Sequence, residues 1–213
     1  EIKNWRCFPD EPGREYTMEE IMGNWKNFDR SLTFHGITYR TEFYREHGVK
    51  LAENVFYEDH EYATYPCCVA HTILPLGLFI YEYRIGDVSQ SVSAENQLKR
   101  IDHTKMVIVK MLKNRVDITD QWALEYCDKK IHLLLLSFMV TSMLCDPDRK
   151  KGVARVDQLM GYIAKKDRHV VEMTMSHYKI LKLLNAAHVG LEGYNRMLNS
   201  KLYNKLRHNK SFD

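Results

Sequence analysis

The sequence predicts an α+β protein, mainly α, with a few short strands within residues 1–93 followed by a helical bundle over 94–213. Three observations predict it. Ser31 to Tyr39 and Thr72 to Arg84 carry strand patterns, the second apolar with aromatics near its end. After Ser93, long segments place apolar residues at helical spacing, separated by polar breaks such as Asp146-Pro147-Asp148 and Lys166-Asp167-Arg168. In one of them Ile131, Leu134, Leu135, Phe138 and Ser142 mark one face while Leu133, Leu136 and Met139 cover much of the other, the pattern of a helix at a bundle centre.

The elements follow in order. Ile2 to Phe8 reads as a strand, and Pro9, Asp10, Pro12 and Gly13 as the loop after it. Thr17 with Glu20 is a capping-box pattern, and Ile21, Met22 and Trp25 share a face, so a helix is expected from Met18 to Phe28. Ser31 to Tyr39 is the next strand. Thr41 is positioned to cap a short helix, Glu42 to His47, that Gly48 ends. His60 to Ala70 is of helix length, but Pro66 in its interior removes a hydrogen bond and should kink or shorten it. Pro75 and Gly77 interrupt the strand from Thr72, marking an edge or bulge. The polar stretch Ile85 to Ser93 is a loop. Helices are then expected over Ala94–Lys113, Asp120–Cys145, Arg149–Lys165, Val170–Ala187 and Leu191–His208.

Composition narrows the function. With 45% hydrophobic and 11% aromatic residues the chain reads as globular. A net charge of +3 argues against a dedicated nucleic-acid binder, because phosphate contacts need concentrated Lys and Arg. The charge is uneven: Asp146 to Asp213 holds 14 Lys plus Arg against 7 Asp plus Glu, leaving residues 1–145 at −4. Such a basic helical tail suits peripheral contact with anionic lipid or an acidic partner, or is a solvated helix face. Cys7, Cys67, Cys68, Cys127 and Cys145 are odd in number and show no Cys-x-x-Cys spacing, which reads as reduced thiols in a cytoplasmic protein. The longest apolar run, Ile131 to Cys145, is shorter than the ~20 residues of a spanning helix. The first residue is Glu rather than Met, which reads as a piece of a longer polypeptide.

The chemically suggestive stretch is Glu53-Asn54-Val55-Phe56-Tyr57-Glu58-Asp59-His60, where an apolar and aromatic lead-in meets two adjacent carboxylates at a helix start. Negative charge suits that position, because the first backbone N–H groups of a helix lack partners and the macrodipole is positive there. Glu58 or Asp59 as a plain cap is therefore one reading. Metal phosphohydrolase chemistry does not fit, since Asp59-His60 reverses the His-Asp order. No His-Glu-x-x-His spacing or Gly-rich phosphate loop is present either. Cys67 and Cys68, within an apolar helix, read as core thiols.

The order of an apolar lead-in, Glu58-Asp59, a helix, an apolar strand, Tyr81-Glu82-Tyr83-Arg84 and a Ser-rich loop resembles the second half of the catalytic domain of family 2 glycosyltransferases of the GT-A fold. Phe34 to Gly48 resembles the segment preceding the acidic pair there, and the likeness covers roughly residues 30 to 100. It implies the acceptor-side half of a GT-A domain over 1–93, with a helical extension over 94–213. The reaction it implies is inverting transfer of a sugar from a nucleotide-sugar to a saccharide or glycan-precursor hydroxyl.

Asp59 matches the usual catalytic base of that family, and Glu58 has the task of orienting the loop. His35 and His60 are candidates for the acceptor site, against the alternatives of a core residue and an exposed first-turn residue. Arg84, Ser89 and Ser91 are candidates for phosphate contact, against a loop pinned by an Arg ion pair. The family holds its diphosphate through Mg or Mn on an upstream Asp-x-Asp. The only such motif here, Asp146-Pro147-Asp148, lies far downstream at helix ends, where aspartates are ordinary caps, so metal ligands are expected mostly outside this chain and the chain alone is expected to be inactive. The implied location is cytoplasmic, peripheral at the inner face of the membrane. The rival reading is a non-catalytic helical domain that binds a protein or a membrane.

Overall fold

In the computed structural model, which describes residues 13–28, 32–48, 50–78, 81–82 and 93–200, Thr17 and Glu20 form the capping box their spacing predicts. The Glu20 amide donates to Thr17 Oγ1 at 3.3 Å and the Thr17 amide to Glu20 Oε2 at 2.9 Å. Helix α1 (Met18–Gly23) buries Met18, Ile21 and Met22, then breaks at Asn24 into a single 3-10 turn, Trp25–Asn27. The predicted helix to Phe28 is thus two pieces.

Helix α2 (Thr41–His47) includes Thr41 as its first residue, so the capping position falls to Arg40, whose side chain makes no cap. Gly48 ends the helix for a steric reason. A Cβ there would lie 2.1 Å from the Tyr44 carbonyl oxygen, to which the Gly48 amide donates at 2.6 Å. The expected helix from His60 to Ala70 divides into α3 (Asp59–Tyr62) and α4 (Tyr65–Val69). Pro66 sits in the first turn of α4, where a missing N–H leaves no intrahelical bond unmade.

The expected α+β class is corrected: every regular element among the described residues is helical, and the only β pairing among them is one antiparallel bridge between Tyr16 and Ile73. The protein is therefore not the acceptor-side half of a GT-A α/β domain. The reason lies in what a strand needs. Residues 32–40 do alternate in burial, with Thr33, His35, Ile37 and Tyr39 more covered than Phe34, Gly36, Thr38 and Arg40, yet a turn closed by the Gly36 amide on the Thr33 carbonyl and the lack of a ladder leave them irregular. Residues 72–78 likewise turn Ile73 and Pro75 inward and leave Leu74, Leu76 and Leu78 46%, 54% and 66% exposed. Alternation describes one backbone; a sheet needs a neighbour for each N–H and C=O. The strand expected over Ile2–Phe8 lies outside the described residues.

The remaining helices are α5 (Ala94–Lys99), α6 (Ile101–Asn114), α7 (Gln121–Val140), α8 (Arg149–Ala164), α9 (Arg168–Ala186) and α10 (Leu191–Leu198). Asp120, Asp148 and Asp167 cap α7, α8 and α9, each Oδ1 accepting from backbone amides two or three residues on. The stretch 94–113, expected as one helix, breaks at Arg100. The part of the last expected helix beyond Ser200 lies outside the described residues.

The described residues form two compact units. One draws on residues within 1–88 and 102–133, the other on those within 89–101 and 134–213. The core of the first is built from Ile21, Phe28, Val107, Ile108, Met111 and Tyr126, all at most 1% exposed. Polar ties cross it. Tyr126 donates to the Ala63 carbonyl and Tyr65 to the Met111 carbonyl, both at 2.6 Å, and Arg115 forms a two-pronged ion pair with buried Asp128, its second contact at 2.8 Å. Tyr126→Phe, which leaves the Ala63 carbonyl without this donor, is expected to lower stability by about 1–2 kcal/mol in urea unfolding.

In the second unit, α7 widens into a π-helical segment, Thr141–Cys145. That geometry frees carbonyls, and side chains take them: Arg149 Nη1 donates to Met143 O at 3.1 Å and to Val189 O at 3.0 Å, and Asn185 Nδ2 to Met143 O at 2.7 Å. Gly152 lets α8 approach this segment, since a Cβ there would lie 2.0 Å from Ser142 O. Helix α7 is less enclosed than its composition suggests. Leu134, Leu135, Phe138 and Met139 are buried, but Leu133 is 47% exposed and Ser137 faces water. No helix among the described residues is long and apolar enough to cross a membrane.

Candidate functional site

The turn leading to the acidic pair is strained. Asn54 has φ 59° and Tyr57 φ 75°, the left-handed region that a short polar residue tolerates and a bulky one resists, at a cost of about 1–3 kcal/mol. Between them the Phe56 amide donates to His103 Nδ1 at 3.0 Å, which requires that nitrogen to be unprotonated.

What holds this turn is Glu61, fully buried two residues beyond Asp59. Its Oε2 accepts from the Ala52 amide at 2.8 Å and pairs with Lys110 Nζ at 3.0 Å, and Lys110 also donates to the Lys50 carbonyl at 2.6 Å. Both ends of the 50–61 segment are thereby tied to α6. Glu61 Oε1 is buried without a hydrogen-bond partner, so this carboxylate carries desolvation cost along with its ion pair.

Asp59 is the first residue of α3, partly buried, and no hydrogen bond or ion pair engages its carboxylate among the described residues. Glu58, at the capping position, makes no side-chain cap; its carbonyl accepts from the Glu61 and Tyr62 amides. Neither carboxylate therefore spends itself on the helix end. His35 and His60 are the groups that feel Asp59. Tyr39 donates to the Tyr62 carbonyl at 2.9 Å and lies 3.2 Å from Cys67 Sγ, which fastens residues 37–40 to α3 and brings His35 within electrostatic reach of Asp59.

Burial lowers the affinity of both imidazoles for a proton, and the Asp59 charge opposes this; at His60 the nearby Lys130 ammonium adds to the lowering. Lys130 is itself buried, donating to the Leu32 carbonyl beside the Tyr126 ring. A histidine whose folded pKa lies below its unfolded value takes up protons more readily when unfolded. Its contribution is intact above about pH 6.5 and is lost as pH falls through the folded value. The urea midpoint is accordingly expected to drop between about pH 7.5 and about pH 5.5, and His60→Gln to flatten that drop.

Burial likewise raises the pKa of the Cys67 thiol and of the Tyr39 and Tyr65 hydroxyls, which keeps them neutral. Of the residues singled out from sequence, Glu58, Asp59, His60 and His35 come together around α3, while Arg84, Ser89 and Ser91 lie outside the described residues. Asp146 and Asp148 are both engaged. Asp146 accepts from the Asp148 amide at 2.9 Å and pairs with Arg155 at 3.0 Å, and Asp148 caps α8. Among the described residues no three His, Cys, Asp or Glu side chains are grouped to hold a metal ion.

Sequence reading missed Glu61, Lys110 and Lys130. A signal existed for Lys110, a lysine inside the apolar run Ile108-Val109-Lys110-Met111-Leu112, where a buried charge needs a partner. No family model, curated protein or solved structure matches this chain.

Proposed function

We propose that this chain is the base-bearing part of an inverting glycosyltransferase that moves a sugar from a nucleotide-sugar to a hydroxyl of a saccharide or glycan-precursor acceptor. The observation that carries the reading is the carboxylate of Asp59, partly open and unengaged among the described residues, on a segment braced by Glu61 and Lys110. Of the motif order that resembles the family, the adjacent Glu58 and Asp59 at a helix start are what the described residues retain.

In this reading the acceptor oxygen attacks the anomeric carbon as the bond from that carbon to the nucleotide diphosphate breaks, and Asp59 takes the hydroxyl proton. Its placement near the attacking oxygen is what the step depends on. Burial lowers the proton affinity of the His35 and His60 imidazoles, and the Asp59 charge opposes that lowering at both. Glu58 is a neighbour that shapes the same helix start. In this reading, as the resemblance implies, the donor diphosphate and its Mg or Mn are held by residues mostly outside this chain.

The basic stretch from Asp146 onward suits peripheral contact with anionic lipid at the cytoplasmic face. The deciding experiment is sugar transfer from a nucleotide-sugar to a glycan acceptor by protein containing this chain, with and without Asp59→Asn. One observation favours a second reading, a non-catalytic interaction domain: the exposed leucines at 74, 76 and 78. Full turnover by the Asp59→Asn variant would leave that reading in place.

A further inference from the structure

Helix α6 holds the segment that leads to Asp59 at its ends and at its middle, by contacts of different kinds. Lys110 Nζ takes the ends, donating to the Lys50 carbonyl at 2.6 Å and to Glu61 Oε2 at 3.0 Å. His103, about two turns earlier and so on the same face of α6, takes the middle. There the Phe56 amide donates to Nδ1 at 3.0 Å, and the two rings lie 5.9 Å apart. The contact falls between Asn54 and Tyr57, the residues held at φ 59° and 75°. A bulky residue keeps a left-handed backbone only where its surroundings impose it.

This middle is joined to the acidic pair through the backbone. The Tyr57 carbonyl accepts from the His60 amide at 3.2 Å and the Glu58 carbonyl from the Glu61 amide at 2.9 Å, so the first turn of α3 continues directly from Tyr57. Where Tyr57 goes, Glu58 and Asp59 follow.

We propose that His103 is a positioning residue for Asp59, a latch that fixes the strained turn while Nδ1 is unprotonated and lets it relax once that nitrogen takes a proton. Its consequence for sugar transfer rests on the reading of Asp59 as base; the latch itself rests on the hydrogen bond and the strain. An oxygen acceptor in that place would hold the amide at any pH. An imidazole nitrogen accepts only with its lone pair free, which in the neutral ring puts the proton on Nε2. His103 is only partly covered, so solvent protons reach the ring. Charges of both signs belong to the two elements that meet here. Glu53, paired with Lys50 at 3.0 Å, and Glu58 lie on the turn, and Asp102 and Lys105 flank His103 on α6, with Lys110 beyond. The test therefore follows the hydrogen bond rather than the local charge.

Amide hydrogen exchange of the 213-residue chain, read by proton–nitrogen correlation NMR, measures it. The protection factor of the Phe56 amide, which corrects for the pH dependence of exchange in a free peptide, is expected to fall about fivefold between about pH 7.5 and about pH 5.5, the weight of one hydrogen bond. His103→Asn puts a non-titrating oxygen where Nδ1 stands and is expected to keep Phe56 protected across that range. His103→Leu is expected to lose the protection at both ends of it. A parent amide that ignores pH, equal protection in His103→Leu and the parent, or a pH response that persists in His103→Asn would overturn the latch.

Sugar transfer by protein containing this chain gives the second arm. His103→Leu is expected to lower kcat about tenfold with KM unchanged, and His103→Asn to retain it. The two inferences fail separately. Full turnover by Asp59→Asn removes the base and leaves the Phe56 measurements standing, while an unresponsive Phe56 amide removes the latch and leaves Asp59 to the transfer assay.

Discussion

Replacing Asp59 by Asn is expected to lower the rate of sugar transfer in the proposed reaction by about 10²- to 10⁴-fold, the range of a lost general base. Stability stays within about 0.5 kcal/mol of the parent, because the carboxylate is partly exposed and makes no hydrogen bond or ion pair among the described residues. The amide preserves shape and cannot accept the proton, so the loss appears in kcat. In the proposed reaction, donor binding followed separately by titration with the nucleotide-sugar is expected to be unchanged. Turnover close to that of the parent would remove Asp59 from the chemistry, and a matching fall in stability would return it to the role of a helix-start residue.

Glu61→Ala has the largest expected effect on folding, a loss of about 3 kcal/mol. It strands the Lys110 ammonium, whose side chain is only 30% exposed, and removes the acceptor of the Ala52 amide, while the Asn54 and Tyr57 conformations still have to be held. Urea unfolding measures it. Glu61→Gln keeps an acceptor for Ala52 and loses only the charge, so it should fall between the parent and Glu61→Ala. If alanine unfolds the chain outright, the glutamine variant still reports the ion pair, and equal stability of Glu61→Gln and the parent would show that the charge contributes nothing.

The helices were legible where the signal is local. Thr17 and Glu20 name their own capping box, Asp120, Asp148 and Asp167 stand at helix starts as aspartates do, and Pro66 announces the shortened helix around it. The helical reading of Asp146-Pro147-Asp148 also holds at the level of individual oxygens. The strands were misread because alternation is necessary for a half-buried strand and not sufficient for one. Residues 32–40 keep the alternation and 72–78 keep part of it, yet between Tyr16 and Ile73 only a single bridge forms among the described residues.

At the site, Glu58, Asp59, His60 and His35 were visible as residue types in a suggestive order. Their brace was not. Glu61 looks in sequence like one more acid in an acidic turn, and Lys110 lies 49 positions away. Nothing local distinguishes a carboxylate that will be fully buried against a lysine from one that will face water.

The division follows the range of the forces. Caps, breaks and amphipathic faces arise from contacts within a turn or two of the chain, so residue order alone was enough to specify them. Whether an alternating stretch finds a ladder, which acid goes underground, and which carboxylate is left open beside two imidazoles depend on contacts closed across tens of residues. Those are settled only when the chain collapses and each buried polar group must find its partner.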